Sequence, residues 1–405
     1  MSRNNLTLAV AGTACLLAAR LFAQEPPANP TPAAPAAPAA PAPNPVNDTA
    51  RLLAGLAPAT DPTVVELSKQ SSWQQHAKSF DSAWASLEKN QLGKVRTWAK
   101  TNIPDAHAAK GTVFYMFSGP DFLYANTFYP QAATYVLCGL EPVGKIPDLS
   151  KLPARSLGGE LHALQGSINT VLNLSFFITK QMQGDLQNHA LGGTLPLLYI
   201  FLERSGKTLK DVSYVSVDED GTLATPAEST ARTSKSNPVP GVRIRFLADG
   251  SDTVRTLYYF CTDISDGGLK HSGFLKFCKT LAPGNGCVKS ASYLMHESQF
   301  SAVRAFLLEN ASTLVQDDSG IPVSFFKPDT WQLRVFGHYP GPISLFKNCY
   351  QPKLAEYYKT TKPEPLDFGI GYRHHASEST LMVASRKPAA SSEPPAAPAV
   401  KGTGE

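Results

Sequence analysis

The chain has 405 residues, 42% of them hydrophobic and 17% charged, with a formal net charge of +4. That size and apolar content suit one large domain or two intimate ones, with a core that does not depend on disulfides. The small charge, with no basic run and no stripe of arginine and aromatic residues, argues against a nucleic-acid partner.

Arg3 precedes an apolar run from Leu6 to Ala23, interrupted by Thr7, Gly12, Thr13 and Arg20. The run closes on Leu21-Phe22-Ala23, a small residue ahead of Gln24-Glu25, which is the layout of a cleavable signal peptide over residues 1–23. Its uninterrupted part is shorter than the about 20 residues that a bilayer span takes. Cys15 lies inside the apolar run rather than at its end, which argues against a lipid-modified cysteine. Residues 24–50 are rich in Pro and Ala and read as a disordered, semi-rigid linker; residues 386–405 repeat the composition as a tail. Loss of Arg3 and Arg20 with the signal lowers the formal charge to +2. No transmembrane span is expected in the mature chain. The expected location is the periplasm or outside the cell.

Residues 51–385 read as a single body with a helical part over 61–103. Asp61-Pro62 supplies a cap and a proline at the first helical position. Trp73, Ala77, Phe80, Trp84, Leu87, Gln91, Val95 and Trp98 recur every three or four residues, the spacing of one helix stripe facing a core. Gly93 is a place for that helix to break, and Ile103-Pro104 ends it. Thr112 to Phe117 reads as a strand, Ser118-Gly119-Pro120-Asp121 as a turn, Phe122 to Tyr129 as a helix and Ala133 to Leu140 as a second strand. Leu157, Leu161, Leu164, Ile168, Val171, Leu172, Ile178 and Met182 lie at helical spacing. Thr194 is placed to cap an apolar helix Leu195 to Ser205, with Gly206 at its end.

Val212 to Val217 reads as a strand, and Asp218-Glu219-Asp220-Gly221 as a turn rather than a calcium loop, since the later ligands are absent. Val242 to Leu247 and Thr253 to Cys261 form a β-hairpin about Asp249-Gly250-Ser251-Asp252. Phe274 to Leu281 reads as a short helix. Ala291 to Met295 reads as a strand that leads into His296-Glu297-Ser298-Gln299, a helix Phe300 to Asn310 and a strand Ser312 to Gln316, which ends at Asp317-Asp318-Ser319-Gly320. FYMFSGPDF aligns with SYLMHESQF, and TYVLCGLEPV with TLVQDDSGIPV, as in an internal duplication. The fold class is α/β, with α+β as the alternative: a mixed sheet holding two similar β-α-β units, a β-hairpin and an N-terminal helical region.

Five cysteines follow the signal: Cys138, Cys261, Cys278, Cys287 and Cys349. Cys278 and Cys287 flank a loop with Pro283, Gly284 and Gly286, which makes them the candidate disulfide pair of an exported chain. No cysteine or histidine cluster has metal-ligand spacing, and the sequence leaves any cofactor unknown. Gly284 to Ser290 lacks the Gly-Lys dyad and the leading strand of a phosphate loop. His296-Glu297 lacks the second histidine of a zinc-protease motif. Asp367 to Tyr372, DFGIGY, lacks the companion loops of a kinase. Gly337 to Pro342 reads as a structural loop in which His338 or Tyr339 is a candidate pocket-lining residue.

One constellation remains, by position. In a shared parallel sheet, Ser118, Asp121, His296 and Glu297 follow the first strand of each unit, and Glu141, Asp317 and Asp318 the second. All would lie at the carboxyl edge, where open α/β sheets hold ligands. His296 with Asp121, Asp317 and Asp318 is the candidate catalytic set, a histidine among carboxylates being suited to general base chemistry. Ser118, Glu297 and Glu141 are candidate ligand-binding residues. Asp121 and Ser298 also suit helix N-caps.

The strings FYMFSGPDFLYA, GTLPLLYIFL, QDDSGIPVSFF, FGHYPGPISLF and PLDFGIGY together resemble a family of exported bacterial proteins with no assigned activity, over about Gly111 to Tyr372. The resemblance implies a bacterial source and an exported body, and transfers no catalytic residue. The functional expectation is therefore a ligand-binding or envelope-associated protein, the alternative being a hydrolase that uses the His296 edge.

Overall fold

β-Branched and aromatic runs pair into a ten-stranded sheet in a computed structural model, which describes residues 43–174, 189–225, 238–248 and 250–388. The expected signal peptide, most of the expected linker, Ile178, Met182, Asp249 and residues 389–405 lie outside the described residues. The strands are β1 (Thr112–Tyr115), β2 (Thr134–Gly139), β3 (Lys207–Val217), β4 (Leu223–Ala224), β5 (Val239–Ala248), β6 (Val254–Cys261), β7 (Gly284–Val288), β8 (Ala311–Gln316), β9 (Trp331–Gly337) and β10 (Thr380–Arg386). Their spatial order is β4-β3-β5-β6-β2-β1-β7-β8-β10-β9. The central block β6-β2-β1-β7-β8 is parallel, and the strands on either flank join it antiparallel. The expected hairpin is the β5–β6 pair.

Alternation along each central strand feeds two cores. Along β1 and the residue after it, Val113 and Tyr115 face one layer, Phe114 and Met116 the other. The first layer holds the N-terminal helices with Phe122–Phe128 and Leu195–Arg204; the second holds Phe274–Thr280, Ser301–Asn310 and Pro352–Thr361. The crossover β1–Phe122–Phe128–β2 runs to one side and β7–Ser301–Asn310–β8 to the other. Right-handed crossovers moving in opposite directions place their helices on opposite faces, as the two cores show. The adjacent strands β1 and β7 therefore flank a topological switch point.

The second unit differs from its expected form. Its first strand is β7, not Ala291 to Met295. Left-handed φ values at Ser290 (52°), Ser292 (49°) and Tyr293 (56°) turn that segment away from extended backbone, and Leu294–His296 forms a 3-10 turn. The helix and second strand of the two aligned strings do correspond; their first strands do not. Ser298 opens a 3-10 turn and caps nothing.

The N-terminal region departs in a second way. Residues 45–50, expected as linker, belong to a helix Pro45–Leu53 that begins with Pro45 and is capped by Asn44. Its buried Asp48 accepts from the amides of Ala59, Thr60 and Asp61 and from the Thr60 hydroxyl at 2.5–2.8 Å. Asn44 and Asn47 each hydrogen-bond the backbone of Leu209 at 2.7 Å, which fastens the helix to β3. The tryptophan stripe is core: Trp73, Phe80, Trp84, Leu87 and Val95 are buried. Gly93 does not break the helix. A π-helical stretch Glu88–Leu92 joins Ser71–Leu87 to Gly93–Asn102.

Cys278 and Cys287 form no disulfide, and all five thiols of the described residues are free. Cys287 points from β7 into the first core and Cys278 from its helix into the second, with the sheet between them.

Candidate functional site

Because β1, β2, β7 and β8 are parallel, the segments that follow them all leave the same edge of the sheet. After β1 the chain turns through Phe117 and Gly119, both at positive φ, and Asp121 caps the helix Phe122–Phe128 by accepting from the Tyr124 amide at 3.1 Å. The other Asp121 oxygen accepts from Tyr115 Oη at 2.8 Å and lies 3.1 Å from Lys289 Nζ. Lys289 is the residue after β7, and its ammonium sits 4.3 Å from the centre of the Tyr124 ring. Both ions are buried. The pair thus bridges the two β-α-β units across the switch point.

Asp317 follows β8. One of its oxygens accepts from the amide and hydroxyl of Ser319 at 3.0 and 2.5 Å, and the other from the Ser290 amide at 2.9 Å. Burial pushes the Asp317 carboxyl up; the hydrogen bonds from Ser319 and Ser290 and the charge of Lys289 oppose it. Gly371 packs so closely on Asp317 that a Cβ there would fall 1.8 Å from Oδ2, which glycine alone avoids.

Asp318 is 4% exposed and accepts from Tyr293 Oη at 2.6 Å. Burial, then the neighbouring charge of Asp317, pushes its carboxyl up to about 7. His296 lies against Tyr293, with ring centroids 5.2 Å apart. Burial pushes its imidazole down to about 4, with the backbone at Asp318 and Gly320 opposing, so it is neutral near pH 7. Its Nε2 is buried without a hydrogen-bond partner, as is Ser290 Oγ. Among the described residues no hydrogen bond joins His296 to a carboxylate.

The candidates therefore divide. Asp121, Asp317 and Asp318 converge about Lys289 and Tyr293, with His296 at the margin. Glu141 and Ser118 lie apart, over β2 and β6. Tyr259 Oη donates to the Glu141 backbone carbonyl at 2.8 Å, and the Glu141 carboxyl sits 3.5 Å from where a Cβ on Gly119 would be. Ser118 Oγ donates to the carbonyl of Gly119 at 2.9 Å and closes the turn. Glu297 is exposed.

Several site residues were invisible in the sequence. Lys289 and Ser290 stood in the string rejected as a phosphate loop; that string is itself strand β7, and its last residues emerge at the edge. Tyr372, from the DFGIGY string, donates to the Ser290 carbonyl at 3.0 Å and lies 3.1 Å from Ser292 Oγ. Tyr339 is buried: its hydroxyl accepts from the Gln351 amide at 3.0 Å, and Gln351 Nε2 donates to the Asp318 carbonyl at 3.0 Å. Tyr293 and Phe346 had no signal beyond being aromatic.

A separate cleft of about 690 Å³ lies between the segments Pro62–Gln70 and Leu149–Ala154. It shares no residue with the edge cluster and carries no buried charge. Among the described residues no helix is long and apolar enough to cross a membrane, and no group of three or more His, Cys, Asp or Glu side chains is placed to hold a metal ion. The chain matches no protein-family model, no curated protein and no solved structure.

Proposed function

We propose that this is an exported bacterial protein whose body binds a small ligand at the carboxyl edge of its parallel strands, in the periplasm or outside the cell. One observation carries the ligand site. Five non-glycine residues have left-handed φ among the described residues, and four of them, Phe117, Ser290, Ser292 and Tyr293, lie in the loops that follow β1 and β7. Such backbone costs of order 1–3 kcal/mol at each residue and concentrates where function requires it. Here it concentrates at the switch point, where open α/β sheets bind ligands. Export rests on the signal-like residues 1–23 and on the resemblance to exported bacterial proteins. Thermal-shift screening of metals and envelope metabolites tests the site. A ligand that raises the melting temperature of the wild type but not of Ser290→Ala or Asp318→Asn supports it. A ligand whose shift survives both substitutions, or a screen in which nothing binds, overturns it.

The partnerless Nε2 of neutral His296, close to Asp318, favours a second reading as a hydrolase with His296 as base. On that reading His296→Ala abolishes turnover of a screened ester or amide at an unchanged melting temperature; retained turnover removes His296 from the chemistry.

A further inference from the structure

We infer that the ligand is a small organic cation, an alkylammonium group held by Asp318 and the aromatic rings around it. The inference rests on the reading of the β1/β7 edge as a ligand site. Asp318 is a buried carboxylate that forms no ion pair among the described residues, and its Oδ2 accepts from Tyr293 Oη. The cations nearby are committed elsewhere. Lys289 holds Asp121, and Arg373 holds Glu378 and the carbonyls of Gly341 and Pro342. Arg304 donates to the carbonyls of Met295 and Glu297 and lies 4.2 Å from the centre of the Phe325 ring. A desolvated carboxylate without a counter-ion is costly, and a cationic ligand offsets that cost.

The surroundings suit an organic cation rather than a hydrated metal ion. Tyr293 lies 5.0 Å from Phe346 and 6.2 Å from Tyr372 by ring centroids, with Phe346 and Tyr372 5.3 Å apart. Tyr339 stacks on Tyr350 at 5.7 Å on the side where Gln351 holds the Asp318 backbone. The negative charge of Asp318 reaches the phenols of Tyr293, Tyr339, Tyr358 and Tyr372 and helps hold each of them protonated. Aromatic faces attract alkylated ammonium groups through the ring quadrupole. The segment Pro342 to Tyr350 beside these rings meets solvent, with Leu345 78% and Tyr350 51% exposed.

The charged and titratable groups facing Asp318 are Asp317, Tyr293, Tyr339, Tyr358, Tyr372, Cys349 and Arg373, with His296 beside its backbone. Burial and the charge of Asp317 raise the Asp318 carboxyl to about 7, so it titrates near neutrality. Cation affinity therefore rises about tenfold from pH 6 to pH 8.

Calorimetric titration of the full chain with choline and tetramethylammonium tests this, with 3,3-dimethylbutan-1-ol as the uncharged isostere of choline. Both cations are expected to bind, with the alcohol at least tenfold weaker than choline. Asp318→Asn should weaken the cations at least tenfold, and Phe346→Ala severalfold, with neither variant lowering the melting temperature by more than a few degrees. Absence of cation binding, equal binding of the alcohol, or indifference to Asp318→Asn overturns the inference. If the cations fail while some other ligand binds and is lost in Asp318→Asn, the cation class falls and the site stands. If a cation binds equally to the wild type, Asp318→Asn and Ser290→Ala, both fall.

Discussion

The two β-α-β units differ most in the path from strand to helix. In the first, residues 116–121 run directly into a helix, and the loop's polar groups end on other groups of the fold: Ser118 on the Gly119 carbonyl, Asp121 on Tyr115, Tyr124 and Lys289. In the second, residues 289–300 wind through three left-handed residues and two 3-10 turns, and leave Ser290 Oγ and His296 Nε2 without partners. On the proposed reading, the same supersecondary element serves once as a buttress and once as a site. Satisfied polar groups stabilise the edge, whereas unsatisfied ones are held there at a cost that ligand contact can offset.

Breaking the buttress should have the largest effect. Lys289→Met leaves Asp121 and Asp317 buried without their cation and is expected to cost about 3–5 kcal/mol of stability in urea unfolding. Adding Asp121→Leu should recover part of that loss, because the uncompensated charge goes with it. A cost below about 1 kcal/mol for Lys289→Met would show that the ion pair does not bridge the units, since single surface pairs fall in that range.

Asp318, on the other side of the comparison, should behave oppositely. Its folded pKa is raised to about 7, above an unfolded value of about 3.9. The folded state therefore binds the proton more tightly, and the carboxyl's contribution to stability is fully present below about pH 3.9 and lost as the pH rises through about 7. Asp318→Asn removes this dependence. The variant should gain on the wild type by about 4 kcal/mol between pH 4 and pH 8, measured as the difference between paired denaturation curves so that groups not coupled to Asp318 cancel. Parallel curves across that range would place Asp318 in a solvated environment instead.

How far these roles were legible follows from the residues. TVFYMF, ATYVLCGL and the β5–β6 hairpin announce themselves through β-branched and aromatic content, and α/β was correct for the chain as a whole. β7 was hidden because Gly-Asn-Gly reads as a turn. In the sheet Gly284 is required by close packing: a Cβ there would meet the backbone carbonyl of Thr112 at 2.5 Å. With β7 misplaced, Lys289 could not be put at the edge. Asp121, Asp317 and Asp318 were found because position after a parallel strand is readable once the unit is recognised. The rings around Asp318 come from distant segments, Tyr293, Tyr339, Phe346 and Tyr372, and only tertiary folding brings them together.

The smallest expected effect separates strain from packing. Ser290→Gly relieves a left-handed residue whose hydroxyl has no partner, so little contact is lost. Relief of about 1 kcal/mol is partly cancelled by the greater freedom of glycine in the unfolded chain, for a net gain of about 0.5 kcal/mol and a melting temperature higher by about 1 °C. Phe117→Gly, at the matching place in the first unit, also relieves positive φ but removes a ring 5.7 Å from Phe300, and should destabilise by about 2 kcal/mol. If both variants stabilise, the first loop is no buttress and the contrast between the units fails. If Ser290→Gly stabilises while weakening whatever ligand the screen identifies, the strain at Ser290 is retained for binding, because selection had a cheaper residue at hand and did not keep it.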